Sequence, residues 1–231
     1  NQYGHYRAVL DDVPVHFLRA DGKGPNPVPL ILTHGWPWTF WDYRDLIGPL
    51  SDPAAYGGDP DDAFDVIVPS LPGFGFSTPL RQTGVNFWTT ADLWHRLMTQ
   101  VLGFPRYAAQ GGDWGAMVTS QLGHKYADSL IGIQVSAPMI LSAFSSDRPF
   151  ALLDGQLDKM PPDMAAQANA VERRLASHVT THMLDPQTLA YAMHDSPSGM
   201  LAWLVERLRA WSDCGGDLES RFSRDDILTK A

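Results

Sequence analysis

The chain has 231 residues, 44% hydrophobic and 19% charged, with a formal net charge of −9 at pH 7. These proportions exclude intrinsic disorder, and the single cysteine, Cys214, excludes a disulfide framework or a cysteine-rich zinc module. The acidic balance argues against a nucleic-acid partner, no apolar run nears the roughly 18 residues of a membrane span, and NQYGHYRAVLDD is no signal peptide, so a soluble cytoplasmic protein is expected.

Two short runs, His5–Leu10 and Val13–Ala20, read as strands of a hairpin or meander. Pro29–Thr33 is almost wholly apolar, the pattern of a strand buried on both faces of a parallel sheet. Thr39–Leu50 has helical spacing, Ser51–Asp62 is a Pro/Gly/Asp loop, and Ala63–Pro69 is a second buried strand. Thr89–Leu102 predicts a helix in which Leu93, Leu97 and Val101 share a face. Tyr107–Gln110 reads as a strand, Gly111–Gly115 as a sharp turn, Ala116–Tyr126 as a helix and Leu130–Val135 as a further strand. This alternation is the α/β signature. From about Ala143 the texture turns helical: Asp158–Leu184 is Met/Ala-rich, and Gly199–Ala210 is amphipathic behind a cap cluster at Asp195–Ser198. No strand is predicted after Ala143. The expected division is therefore a core over residues 1–143 and a helical second unit, or lid, over 144–231.

The sharpest motif is Gly111-Gly112-Asp113-Trp114-Gly115 at a strand-to-helix junction. A nucleophile elbow needs small residues two before and two after its central residue, because the turn is too tight for side chains. A central carboxylate can attack an electrophilic carbon and form an ester that water then cleaves. Alone, the motif is weak and reads more often as a Gly-rich turn with Asp113 as helix N-cap. His34-Gly35-Trp36-Pro37 ends the first buried strand, where this topology places an oxyanion loop, and Pro69–Ser77 (PSLPGFGFS) follows the second. The latter is no dinucleotide fingerprint, since Thr78 stands where a glycine is needed, and Gly22-Lys23-Gly24 is no P-loop.

Together HGWP, PSLPGFGFS and GGDWG resemble the epoxide hydrolases of the α/β-hydrolase superfamily, most of all the microsomal and juvenile-hormone type. DSPSG with AWLVERLRAWSD is similar to that family's lid, and the opening residues to the end of its N-terminal segment. The resemblance implies an α/β-hydrolase fold, with Asp113 opening an epoxide to an alkyl-enzyme ester. It implies a histidine that then activates water, the backbone N–H groups of Trp36 and Trp114 as an oxyanion hole, and a cis Trp36–Pro37 bond. An epoxide and water are the implied partners, with no cofactor and no metal.

The family's late histidine, its acidic partner and the last lid segment are not found before Ala231, so a fragment truncated at both ends, inactive by itself, is expected. Against the family pattern, His178 falls on or near the first lid tyrosine, which leaves the proton donor unassigned; Tyr191 has no matching position and is expected to pack. His178 and His182, four apart on a predicted helix, could bracket a metal, but no carboxylate or Cys at ligand spacing supports one, and exposed helix histidines are expected. Trp88, Trp94, Trp203 and Trp211 are expected in packing roles. A haloalkane dehalogenase shares an Asp followed by Trp but carries a polar residue where Trp36-Pro37 stands; a non-catalytic binding module on the same fold is the other alternative.

Overall fold

The computed structural model describes residues 3–136 and 156–231. The chain divides into two compact units, Asn1–Pro138 and Met139–Ala231. The boundary expected at 143/144 lies outside the described residues.

The first unit is built on a six-stranded sheet: β1 (Gly4–Leu10), β2 (Val13–Ala20), β3 (Val28–Thr33), β4 (Phe64–Pro69), β5 (Tyr107–Gly112) and β6 (Leu130–Ser136). Their spatial order is β1-β2-β4-β3-β5-β6. β1 pairs antiparallel with β2 and β2 with β4, whereas β4, β3, β5 and β6 run parallel. Asp11 and Asp12 join the first two strands with φ of 49° and 63°, as a two-residue hairpin with matching twist requires.

Both faces of the central strands are covered, which explains why β3 and β4 are apolar without alternation. Successive residues point to opposite faces. Val13, Val15, Phe17, Ile31, Ile67 and Ala109 bury one face against Leu93, Trp94, Leu97 and Met98 of one helical segment and Val118 and Leu122 of another. Leu18, Leu30, Leu32, Val66 and Val68 bury the other face against Ile47.

The helices are α1 (Arg44–Ser51), α2 (Phe87–Arg96) and α3 (Trp114–Lys125). The helix expected over Thr39–Leu50 begins instead with a tighter 3-10 turn, Phe40–Tyr43, capped by Thr39. The loop expected over Ser51–Asp62 contains two short 3-10 turns, Pro53–Tyr56 and Pro60–Asp62. The second expected helix, Thr89–Leu102, starts earlier, at an Asn86 cap that accepts from the Trp88 and Thr89 amides, and ends in a π-turn, Leu97–Val101. There the Leu102 N–H reaches back five residues to Leu97 O at 3.0 Å. The wider turn rotates the following side chains. Val101 is therefore 46% exposed rather than on the buried face, while Leu97 and Met98 are fully buried.

The second unit holds α4 (Pro162–Leu184), α5 (Pro186–Asp195), α6 (Pro197–Trp211) and α7 (Arg224–Lys230), with no strand among the described residues. Ser196 caps α6 by accepting from the Gly199 amide, with Pro197 in the first turn, where its missing N–H costs nothing. Ala176, Leu204, Leu208, Cys214 and Ile227 are its buried apolar residues. Among the described residues no helix is long and apolar enough to cross a membrane.

Candidate active site

β4, β3 and β5 are parallel neighbours, so the loops leaving their C-terminal ends start side by side, the usual place for a site on an open α/β sheet. Thr33, the last residue of β3, pairs with Gly111 near the end of β5. His34–Pro37 and Asp113 are thereby brought together, with Ser70–Ser77 beside them at the end of β4.

Asp113 sits between β5 and α3 with φ 54° and ψ −124°. L-residues avoid this conformation, and holding it costs on the order of 1–3 kcal/mol. The turn closes because its flanks lack side chains: a Cβ on Gly111 would lie 2.1 Å from Gly115 O, and one on Gly115 only 1.9 Å from Thr33 O. Gly112 is different, since a Cβ there would meet nothing nearer than 3.7 Å.

The same carboxylate oxygen receives two amides. Trp36 N–H donates to Asp113 Oδ1 at 2.9 Å and Trp114 N–H at 2.7 Å. Asp113 is thus at once the central residue of the elbow and the N-cap of α3, so the two readings of its motif describe one geometry. Gly35 permits the close approach: a Cβ there would stand 2.3 Å from both Asp113 Cβ and Oδ1. The Trp36–Pro37 peptide is cis. No hydrogen bond to a described residue occupies Oδ2. Burial pushes the Asp113 carboxyl above its ordinary value, and the two amide donors work against that rise.

His34 is 2% exposed, and both ring nitrogens are taken. Nε2 accepts from the Leu71 amide at 3.0 Å, so Nδ1 carries the proton it donates to Gly35 O at 2.9 Å. Burial lowers its pKa to about 4. It is a neutral strut between two loops, not a base. Tyr43 spans the ends of β3 and β5, its hydroxyl 2.9 Å from Thr33 O and 3.0 Å from Gln110 Oε1.

Sequence reasoning gave no role to His16, Ser70 and Ser77, although PSLPGFGFS was singled out. His16 is 4% exposed on β2; its amide donates to Ser77 Oγ at 2.9 Å, and its Nδ1 lies 2.9 Å from Ser70 Oγ. Two polar residues at either end of one loop, facing a histidine on an apolar strand, were the available signal.

In the second unit His178 and His182 are not the exposed pair expected. Their rings pack edge-on against Trp211 and Trp203, with centroids 5.0 and 6.0 Å apart. Burial, then the nearby His182 and Arg207, lowers the His178 pKa to about 4. No group of three metal-ligating side chains occurs among the described residues. Trp94 is fully buried, Trp88 is 45% exposed with its ring 3.9 Å from that of Phe87, and Tyr191 is 68% exposed.

Comparison with known proteins agrees with this architecture. A family model for the alpha/beta hydrolase fold matches residues 28–203, and one for the epoxide hydrolase N terminus matches residues 1–43. A Stigmatella aurantiaca protein carrying an epoxide hydrolase name is 42% identical over 99% of this chain and 50% of its own length. Epoxide hydrolase 1 of Oryctolagus cuniculus is 30% identical over 99% of this chain and 54% of its own. The crystal structure of juvenile hormone epoxide hydrolase from the silkworm Bombyx mori superposes with a TM-score of 0.76 at 26% identity, covering 100% of this chain and 57% of that one. The chain spans about half the length of the curated relatives it matches.

Proposed function

This chain belongs to the α/β-hydrolase fold family and groups there with the epoxide hydrolases, and from that premise we propose that its protein hydrolyses an epoxide to a vicinal diol through an ester on Asp113. The observation that carries the reading is the convergence of the Trp36 and Trp114 amides on one Asp113 oxygen.

In the first step Asp113 Oδ2, which has no hydrogen-bond partner among the described residues, attacks a ring carbon. The C–O bond of the epoxide breaks, an ester bond forms, and the ring oxygen takes up a proton. Oδ1 becomes the ester carbonyl oxygen. In the second step water, losing a proton to a base, attacks the ester carbon, and charge develops on Oδ1, where the two N–H groups already point. Donors fixed in advance need no reorganisation as the charge appears, and removing one such donor typically costs a factor of 10²–10³. Collapse of the tetrahedral species then releases the diol and restores the carboxylate. His34 is not the base, since neither nitrogen is available. In this reading the helices of the second unit, α4 to α7, correspond to the lid that the family resemblance implies.

The test is a single turnover in heavy-oxygen water with the full-length protein and styrene oxide. The oxygen delivered to the diol comes from Asp113, so the label should appear on the Asp113 carboxylate. A first-turnover diol carrying solvent oxygen would rule out the covalent path, and Asp113→Asn should form no ester.

A further inference from the structure

Five hydrogen bonds run head to tail from β2 to the elbow. The His16 amide donates to Ser77 Oγ at 2.9 Å, and the Ser77 hydroxyl donates to Ser70 O at 2.8 Å. Ser70 C=O and Leu71 N–H belong to one peptide unit, and that N–H donates to His34 Nε2 at 3.0 Å. His34 Nδ1–H donates to Gly35 O at 2.9 Å. Gly35 C=O and Trp36 N–H again share a peptide unit, and Trp36 N–H ends the series on Asp113 Oδ1 at 2.9 Å. Ser70 and Ser77 are fully buried, His34 is 2% exposed and Leu71 5% exposed.

In a chain of this kind each bond polarises the next, strengthening it by about 10–30%. An amide whose carbonyl accepts a hydrogen bond is a better donor, and an imidazole accepting at one nitrogen is a different donor at the other from one that accepts nothing. Trp114 stands outside the series: among the described residues its peptide carbonyl, Asp113 O, accepts from the Ala116 amide at 3.0 Å, as at a helix start. The two amides on Oδ1 are therefore not equivalent.

We infer that Ser77 and His34 are positioning residues that strengthen the Trp36 N–H as an oxyanion donor through this head-to-tail relay, with His16 holding its far end. The inference rests on the proposed hydrolase reading and extends it. His16 closes the far end twice over, because its backbone carbonyl also accepts from the Ser70 amide at 2.8 Å. The relay serves the second chemical step. During alkylation Oδ1 gives up its share of the carboxylate charge, so a stronger donor there does not speed that step, whereas in ester hydrolysis Oδ1 takes the charge up again.

The experiment compares Ser77→Ala with the unsubstituted full-length protein in pre-steady-state turnover of styrene oxide, following the Asp113 ester by mass spectrometry. Ester hydrolysis should slow about five- to tenfold while alkylation changes by less than about twofold, so the ester accumulates. Ser77→Thr, which keeps the hydroxyl, should restore the lost rate. Equal loss in both steps would reduce Ser77 to a packing role and overturn the inference. If Ser77→Ala does not fold, His34→Leu, which neither accepts nor donates, breaks the next link under the same criterion. Independently of turnover, the Trp36 amide proton should move upfield in the substituted protein while that of Trp114 stays in place; an unmoved Trp36 resonance overturns the relay. Absence of any Asp113 ester in the unsubstituted protein would instead remove the hydrolase reading, leaving the resonance shift to decide the relay by itself.

Discussion

Trp36 and Asp113 stand 77 positions apart in the chain, yet the amide of one lies 2.9 Å from the carboxylate of the other. Gly35 alone makes room, since a Cβ at that position would fall 2.3 Å from Asp113 Cβ. Gly35→Ala must therefore push the loop off the elbow and separate donor from acceptor. Ester hydrolysis should fall by about 10² or more, the cost of one oxyanion donor. A rate within a few-fold of the parent would mean that the Trp36 amide is dispensable.

Gly111 and Gly112 are adjacent but not equivalent. A methyl group on Gly111 meets Gly115 O at 2.1 Å, whereas one on Gly112 has only Ser136 at 3.7 Å. Gly111→Ala should destabilise by several kcal/mol or prevent folding, while Gly112→Ala should stay within about 1 kcal/mol. Thermal unfolding of the two variants checks the ordering.

The raised pKa of Asp113 has two consequences of known sign. The nucleophile must be ionised, so the alkylation rate should decline toward acid at a pH above the ordinary carboxylate value of 3.8. Because burial disfavours the charged form, the group costs stability in full above its folded pKa; the cost shrinks as pH falls below that value and is gone below the unfolded value of 3.8. Asp113→Asn should accordingly unfold at a higher temperature than the parent at pH 7, and the difference should shrink on acidification. A parent that is the more stable at pH 7 would contradict the burial argument.

The π-turn after α2 separates two residues that spacing alone would pair. Leu97 is fully buried and Val101 is 46% exposed. Leu97→Ala should cost about 2–5 kcal/mol through the cavity it leaves. Val101→Ala should cost less than about 0.5 kcal/mol, as an exposed change does. Chemical denaturation midpoints distinguish the two.

β6 is the last strand in the sheet order, and Ile131 on it is 51% exposed. An edge strand with apolar side chains in water invites pairing with another chain. Prepared as these 231 residues, the protein should aggregate at high concentration, and Ile131→Lys should lower the turbidity without altering the unfolding temperature by more than a degree or two. Unchanged turbidity would locate the sticky surface elsewhere.

The sheet and its helices were legible from the residues because both periodicities involved are local. Pro29–Thr33 and Ala63–Pro69 are apolar at every step, and a strand covered on both faces leaves no other pattern. The elbow was equally legible. GGDWG places its small residues where a backbone turn would otherwise drive side chains into the chain two residues away, a constraint confined to five positions.

What spacing could not supply depends on how distant segments meet. A π-turn in place of an α-turn at Leu97–Val101 turned Val101 to solvent, and no residue type marks that choice. His178 and His182 read as a surface pair, but α6 lays Trp203 and Trp211 against them. The roles of His16, Ser70, Ser77 and His34 exist only because β2, β4 and β3 lie side by side. A hydrogen bond needs its partners within about 3 Å, and the chain alone does not say which residues tens of positions apart will come that close. The sequence by itself determined a carboxylate on a strained turn beside a glycine-proline loop. The tertiary structure decided which oxygen of that carboxylate is held, by which two amides, and what stands behind one of them.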